Sequence, residues 1–262
     1  MWIAPERFSL PSGAVARADI KNGEKFSGAA LYYNPEGAVR LERHSDDTRV
    51  TLDGRLGDTP AITTKPLSDG LHVLVYQSKP TDIYYGEFEK FARFASQKGF
   101  VDIAARHDAR NIPRDGFREV YARFAKALVL VGDRVSDAVD GPVGLETEIV
   151  ALDPIGALGQ ADNDGLSQSD DLTFRVKVLY REKPRVNAQV EVFAKAQDGQ
   201  VVASKVMTDA EGIAIIPVRR GVRYLLDAVV LRRPDAARAE TFRAVWETLW
   251  ASLTFEVPAV AR

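Results

Sequence analysis

The sequence predicts a mainly β protein made of two β-sandwich domains, and three features carry that prediction. Before residue 80, short apolar segments alternate with turn sequences such as NPEG and SDG, which is typical of strands in a sandwich or barrel. Between residues 86 and 128 the apolar residues recur every three or four positions instead, which indicates helices. A polar, acidic stretch, ADNDGLSQSDD at residues 161–171, then precedes a second group of strand-like segments.

Composition excludes several classes of partner and site. The 262 residues are 45% hydrophobic and 27% charged, which is enough apolar material for a buried core. The net charge is −2 and no block of basic residues is present, so the sequence lacks the positively charged surface that binds nucleic acid or an anionic membrane. Because the chain has no cysteine, disulfides, zinc-thiolate sites and thiol nucleophiles are excluded. No apolar run is long enough for a membrane helix, so we expect no direct membrane insertion.

We assign residues 1–165 to a β-rich N-terminal domain. Leu71, Val73 and Val75 share one strand face and Leu74 and Tyr76 share the other, so this strand is expected to be central. The strands predicted in this domain are residues 14–20, 38–44, 49–53, 71–78, 126–132 and 145–152.

A helical insertion over residues 86–128 is expected to interrupt this domain. The pattern predicts two or three helices, with apolar groups at Phe88 to Ala95, at Val101 to Ala104 and at Phe117 to Ala125. Asp115 is placed to cap the third helix.

Residues 166–262 are predicted to form an immunoglobulin-like or transthyretin-like sandwich, since about six strands in roughly ninety residues is the size of such a domain. The end of the chain is ambiguous. A helix would place on one face the residues Phe242, Trp246, Leu249 and Leu253, whereas a strand would place every second residue from Leu249 on one face. We favour a strand from Leu249 onward. For residues 235–245 a short helix is one alternative. The other strands expected here are residues 172–180, 189–195, 201–207, 213–218 and 224–231.

The three tryptophans are the first candidate binding residues. Trp246 and Trp250 lie four positions apart near the end of the chain, and Trp2 lies at its start. Packing in a core is the ordinary role of such large rings. An aromatic platform for a carbohydrate, or an interface with a partner protein, is the functional alternative.

The histidines give one candidate metal ligand. His44, His72 and His107 are the only three, and none has a metal-ligand spacing to another. His72 belongs to the strand predicted to be central, so it is the candidate for a metal, whereas His107 is expected to face solvent from a helix.

A dense polar group lies at residues 119–126. Glu119 and Arg123 would form an ordinary ion pair on one helix face. Lys126 enters the apolar run AKALVLV, so its ammonium needs a partner. We expect a buried clamp between the insertion and the sandwich, with an anion-binding pocket that includes Tyr121 and Arg123 as the alternative.

No catalytic motif is present, and we expect no enzyme activity. The sequence has no nucleophile elbow, P-loop or dinucleotide glycine signature. Glu146 and Glu148 share a strand face, as the two carboxylates of a glycosidase would, but the alternating strands and helices of a β/α barrel are missing. ADNDG at residues 161–165 matches only the start of a calcium loop, so a solvated linker is expected there.

Several spaced segments together resemble the bacterial domain-of-unknown-function family 4198, whose members are described as periplasmic components similar to those of nickel and cobalt uptake. The resemblance runs nearly from end to end of the chain. Its segments are Trp2, GLHVLVYQSKP from Gly70, EFEKFARFASQKGF from Glu87, REVYARFAKALV from Arg118, VGLETEIVALDP from Val143, and LWASLTF from Leu249.

The resemblance implies periplasmic localisation after removal of a signal peptide, and a C-terminal domain like carboxypeptidase-regulatory modules. Such proteins typically have a histidine two residues before the tryptophan, whereas this sequence begins Met1-Trp2, so a site made of a terminal amine and imidazole is not expected from these residues. The function expected is therefore a non-enzymatic binding or accessory protein linked to nickel or cobalt uptake, with a membrane transport or envelope protein as partner. The alternative is a structural or adhesive envelope module, which predicts no pocket with convergent polar groups.

Overall fold

The computed structural model describes residues 1–46, 48–132, 137–159 and 172–259. The first part of the chain contains nine strands followed by two helices. The strands are β1 (Trp2–Pro5), β2 (Ser9–Leu10), β3 (Arg17–Glu24), β4 (Ser27–Leu31), β5 (Ala38–Ser45), β6 (Thr48–Thr51), β7 (Ile62–Thr63), β8 (Gly70–Ser78) and β9 (Thr81–Tyr85), and the helices are α1 (Phe88–Gln97) and α2 (Ile103–Asp108).

The rest of the described chain is built almost entirely of strands. They are β10 (Phe117–Val131), β11 (Thr147–Ala151), β12 (Leu172–Tyr180), β13 (Lys183–Pro184), β14 (Gln189–Lys195), β15 (Val201–Met207), β16 (Ile213–Val218), β17 (Arg223–Arg232) and β18 (Ala244–Glu256), with helix α3 (Ala236–Phe242) between the last two. Short 3-10 turns lie at Pro35–Gly37 and Ala157–Gly159. No helix within the described ranges is long and apolar enough to cross a membrane.

A ten-stranded sheet forms the middle of the molecule. Its order is β15-β14-β17-β18-β10-β8-β5-β6, and β2 and β9 also pair with β10. The long strand β10 runs antiparallel to β8 and parallel to β18, with Arg123 opposite Trp250 and Ala127 opposite Thr254. The N-terminal and C-terminal parts of the chain therefore meet in the middle of one sheet.

Both faces of this central sheet are covered by other layers. On one face lies the sheet of β11, β12, β13 and β16, and Phe124 and Leu253 belong to the apolar cluster between these two layers. On the other face lie the sheet of β1, β3, β4 and β7 and the two helices, against which Ala125 and Trp246 pack. Alternate residues of β10 and β18 thus enter different cores.

The predicted third helix is wrong, because residues 117–131 form the single strand β10. Val120 and Phe124, on one face of this strand, and Phe117 and Ala125, on the other, are all buried. A strand covered on both faces carries apolar residues at odd and even positions alike, and such a run imitates the spacing of a helix. The helical insertion is therefore confined to α1 and α2.

Other predictions of secondary structure are confirmed. The mainly β class and the sandwich packing are present, and most predicted strands lie within a few residues of their expected bounds, except β10 and β18, which begin earlier. The ambiguous C-terminal stretch contains both alternatives in succession. Helix α3 is capped by the Asp235 side chain, which accepts a hydrogen bond from the Arg238 N–H, and β18 then begins at Ala244, earlier than expected.

The predicted domain boundary near residue 165, and the acidic stretch 161–171 with its ADNDG sequence, lie outside the described residues. The segments on either side of that boundary share the central sheet and one apolar cluster. Leu71, Val75 and Phe124 from the first segment pack in the same cluster as Phe174, Leu226 and Phe255 from the second. The two segments are therefore not separate hydrophobic units.

Candidate functional site

A cavity of about 670 Å³ opens on the face of the central sheet that also carries the helices. Its floor is formed by neighbouring strands β14, β17, β18 and β10, through side chains that include Phe193, Leu225 and Trp250. Its walls come from the start of β1, the turn of the β3-β4 hairpin and the C-terminal end of α1. At Gly28 in that hairpin a Cβ would lie 2.4 Å from the Asn22 carbonyl oxygen, so the close pairing of β3 and β4 requires glycine there.

One side of the floor carries an ion-pair cluster. Glu191, Asp227 and Ser252 stand in register on adjacent strands. Lys98, at the C-terminal end of α1, bonds both carboxylates, with Nζ 2.6 Å from Asp227 Oδ2, and its ammonium lies 4.6 Å from the centre of the Trp250 ring. Burial opposes the charge on Lys98, but the two carboxylates outweigh it and raise the pKa of Lys98. The cluster ties α1 to the sheet.

Arg123 lies beside this cluster and forms no ion pair within the part of the chain that the structure describes. Its guanidinium lies 4.0 Å from the centre of the Trp250 ring and 5.0 Å from that of Tyr121. Burial lowers the pKa of Arg123, although nearby acidic groups, Asp227 first, oppose this effect. Its Nε is buried and has no hydrogen-bond acceptor among the described residues. A buried donor without a protein acceptor is uncommon, and beside a cavity such a donor is within reach of water or of a bound molecule.

Trp2 presents a second donor of the same kind. Its side chain is only 1% exposed, packs edge-on against Phe26, and lines the cavity. The indole Nε1 has no acceptor within the described chain. Two donors without acceptors among the described residues therefore belong to residues that line one cavity.

A hydrogen-bonded chain behind the cavity fixes the Trp250 ring. Trp250 Nε1 donates to Thr248 Oγ1 at 2.9 Å, and Thr248 in turn donates to the buried carboxyl of Glu119. The Tyr85 hydroxyl donates to the same carboxyl at 3.0 Å. Burial raises the pKa of Glu119 to about 6, against the opposing effect of these hydrogen bonds. These hydrogen bonds hold the Trp250 ring, and with it the aromatic surface of the cavity, in one orientation.

The structure brings together part of the predicted binding set. Trp2, Arg123 and Trp250 line the cavity, and Tyr121 stacks against Arg123. The predicted ion pair between Glu119 and Arg123 is absent from the described contacts, because Glu119 is bonded to Thr248 and Tyr85 instead. These two residues belong to the strand β10, so they do not form the helical i, i+4 pair that was expected.

Trp246 and Lys126 lie elsewhere. Trp246 is 1% exposed in the core beneath α1 and α2, where its Nε1 donates to His107 Nδ1 at 3.0 Å. His107 is therefore buried, and the expectation that it faces solvent is wrong. Lys126 projects from the opposite face of β10 and donates to Asp140 at 2.7 Å, as a buried clamp would.

His72, the metal candidate, is fully buried with both ring nitrogens engaged. Arg43 Nη1 lies 3.1 Å from Nδ1, and Nε2 lies 2.8 Å from the Ser68 carbonyl oxygen. Since arginine only donates and a carbonyl only accepts, the imidazole is neutral with its proton on Nε2. Burial also lowers the pKa of His72. Metal binding by His72 stays a prediction that would require one of these hydrogen bonds to break.

Sequence reasoning missed Lys98, Glu191 and Asp227. A signal for two of them was present, because Glu191 in QVEVFAK and Asp227 in YLLDAVVL each place a carboxylate inside an apolar strand. A charge in such a position needs a partner. Lys98 follows an amphipathic helix, where nothing in the sequence distinguishes it from a solvated lysine.

Comparison with known proteins gives a family without a described activity. No curated protein matches the chain. Among solved structures, the D0-D1 domain of Intimin aligns over 97% of both chains at 14% identity, but with a TM-score of 0.22, which carries no argument about fold or function. The family described as "Domain of unknown function (DUF4198)" matches residues 1–232. The chain therefore belongs to this DUF4198 family.

Proposed function

We propose that this protein is a non-enzymatic binding protein whose cavity takes a small organic molecule with an anionic group and an apolar, ring-sized part. The observation that carries the proposal is Arg123, a charged side chain on the cavity wall with a buried Nε that has no acceptor among the described residues.

The anionic group is proposed to bind at Arg123. Guanidinium groups match carboxylates, phosphates and sulfonates in geometry, and stacking on Trp250 and Tyr121 fixes the plane of this one. Asp227 and Glu191 both bond Lys98, and neither hydrogen-bonds the Arg123 guanidinium among the described contacts, although the charge of Asp227 favours the charged form of Arg123. The Trp2 indole offers a further donor to an oxygen of the ligand.

The apolar part of the ligand is proposed to lie against the aromatic floor. Phe94 stacks on Trp250 with ring centres 5.3 Å apart, and Phe193 and Leu225 extend the apolar surface. A volume of about 670 Å³ falls in the range of small-molecule sites, which combine apolar walls with a few placed polar groups.

A metal is the less favoured ligand. In the described part of the chain no group of three or more His, Cys, Asp or Glu side chains could hold an ion. Four further proposals rest on the family resemblance alone. They are the link to nickel or cobalt uptake, the likeness of the C-terminal part to carboxypeptidase-regulatory modules, the contact with a transport or envelope partner, and the periplasmic location. The structural or adhesive alternative predicts no such pocket, so the cavity favours the binding function.

Two fluorescent probes test the proposal. Anilinonaphthalene sulfonate has aromatic rings and an anionic group, and N-phenylnaphthylamine has similar rings without the charge. We expect the wild-type chain to bind both saturably, with energy transfer from tryptophan because Trp2 and Trp250 line the cavity. Arg123→Met should weaken the sulfonate about 10- to 100-fold, since a charged hydrogen bond contributes about 1.5 to 3 kcal/mol, and should leave the neutral probe nearly unchanged.

Arg175→Met is the matched control, because Arg175 is exposed on β12 and pairs with Asp153 far from the cavity. Equal affinities of the wild type and Arg123→Met for the sulfonate would refute the proposal. Saturable binding of Ni²⁺ or Co²⁺ in place of the sulfonate would favour the metal function instead.

A further inference from the structure

A buried triad of charged side chains lies on the other face of the central sheet, away from the cavity. Lys126 of β10, Asp140 of the following loop and Glu148 of β11 are 1%, 0% and 1% exposed in their side chains. Lys126 Nζ lies 2.7 Å from Asp140 Oδ2, 3.2 Å from the Gly141 carbonyl oxygen and 3.6 Å from Glu148 Oε2. An amine, a carboxyl and a second carboxyl thus meet in the interior.

The Asp140 carboxyl is only half satisfied. Its Oδ2 accepts hydrogen bonds from Lys126 and from the Ala151 N–H at 3.0 Å, whereas Oδ1 is buried and has no hydrogen-bond partner among the described residues. An ion pair explains Oδ2 but leaves Oδ1 as a desolvated carboxylate oxygen, which is unfavourable. An amide that loses Oδ1 and keeps Oδ2 would remove this conflict, because the remaining oxygen still accepts from the Ala151 N–H.

We propose that Lys126 and Asp140 form an intramolecular isopeptide bond in the folded protein. Proton transfer from the Nζ ammonium to the carboxylate gives a neutral amine beside a carboxylic acid. The amine then attacks Asp140 Cγ, the new N–C bond forms, and the bond from Cγ to one oxygen breaks. One water leaves, so that an ammonium and a carboxylate become a neutral amide and water, and no other reactant is consumed.

The site provides proximity and a proton carrier for this condensation. A C–O bond is about 1.2 Å long, so Nζ lies within about 4 Å of Cγ, close to attack distance. Glu148 is held by the N–H groups of Val143 and Gly144 at 3.0 and 3.2 Å, with Oε2 directed to Nζ. It is placed to take a proton from the attacking nitrogen and return it to the leaving oxygen. Forming the amide also removes two buried charges.

Mass spectrometry of the intact full-length chain is the first test. The wild type should be lighter than its sequence by the mass of one water. After trypsin digestion, the peptide FAKALVLVGDR should appear joined to the peptide that contains Asp140, with no cleavage after Lys126. Lys126→Arg and Asp140→Ala should lack the joined peptide, and Glu148→Gln should reduce its yield at least tenfold.

A cyclic imide at Asp140-Gly141 would lose the same mass, so the joined peptide is the decisive result. Gly141→Ala is the matched control, because Gly141 has open space at its Cβ position and alanine hinders imide formation. This variant should retain the joined peptide.

Full recovery of separate FAK and ALVLVGDR peptides from the wild type, whatever the intact mass, would overturn the proposal and leave an ordinary buried ion pair. This test needs no variant to fold and does not depend on the cavity ligand.

Discussion

Arg123 and Glu119 show how one strand face combines binding and support. Both project from the same face of β10 toward the cavity side, four residues apart. Arg123 stacks on Trp250, while Glu119 fixes Trp250 through its hydrogen bond with Thr248. The buried carboxyl of Glu119 resists ionisation. The free energy of unfolding should therefore depend on pH through this residue.

The first prediction concerns Glu119. Its pKa is raised by burial from 4.5 to about 6, so the folded chain holds this proton more tightly than the unfolded chain. The resulting stability is fully present below pH 4.5 and is lost as the pH rises to about 6. Relative to Glu119→Gln, the wild type should lose on the order of 2 kcal/mol of unfolding free energy across this window.

Urea unfolding at a series of pH values measures this difference. Glu211→Gln, at an exposed turn, serves as control and should follow the wild type. If the difference in unfolding free energy between the wild type and Glu119→Gln stays constant with pH, Glu119 is not the source of the pH dependence.

For single residues, the sequence indicated which side chains line the cavity better than it indicated which side chains they contact. Trp2, Arg123 and Trp250 could be chosen because large rings and a charge among apolar residues stand out in any pattern. Their convergence could not, since it depends on the pairing of β10 with β18 across more than a hundred residues of chain. His107 was misplaced for the same reason: its partner, Trp246, is distant in sequence.

At the scale of elements, α1 presents two aromatic faces with different roles. Phe91 is fully buried and stacks on Trp246 with ring centres 5.9 Å apart. Phe94 is partly exposed, lines the cavity and stacks on Trp250. One helix therefore both seals the core and forms a wall of the site.

The second prediction separates these faces. Phe91→Ala should destabilise the fold by about 3 to 5 kcal/mol, because it leaves a cavity in the core. Phe94→Ala should cost less stability but weaken binding of both naphthalene probes by severalfold, since both are expected to pack against the stacked rings of Phe94 and Trp250. Denaturant unfolding and probe titration of the two variants, side by side, check this. The assignment fails if Phe94→Ala binds the probes as tightly as the wild type.

Most elements could be predicted from local pattern, but β10 could not. The helices α1 and α2 have one apolar face each, and most strands alternate, so their period reveals them. β10 is buried on both faces, and only the layers that cover it, which are distant in sequence, decide between helix and strand.

At the scale of the whole molecule, the two ends of the chain are joined. Thr254 of β18 donates to the Ile3 carbonyl at 2.7 Å, and Ser252 donates to the Met1 carbonyl at 3.1 Å. Together with the shared central sheet, these contacts make the cavity a product of both parts of the chain. The acidic stretch at 161–171 suggested separation because composition reports local polarity and not which strands pair.

The third prediction is that the chain unfolds as one unit. Leu253→Ala, in the cluster shared by both segments, should lower the unfolding free energy by about 2 to 5 kcal/mol. The tryptophan fluorescence and far-UV circular dichroism transitions should remain superimposed in wild type and variant. Two separated transitions, of which the variant shifts only one, would show independently folding domains.

The most direct test of the binding proposal is the side-chain Nε–H signal of Arg123 in proton–nitrogen correlation spectra, assigned by its loss in Arg123→Met. On titration with anilinonaphthalene sulfonate this signal should move strongly downfield, because its unsatisfied donor gains an acceptor. The Nε–H signal of Arg232, which already donates to Glu247 at 2.7 Å, should stay in place. If the probe binds and the Arg123 signal does not move, the account of this cavity as an anion-binding site is contradicted.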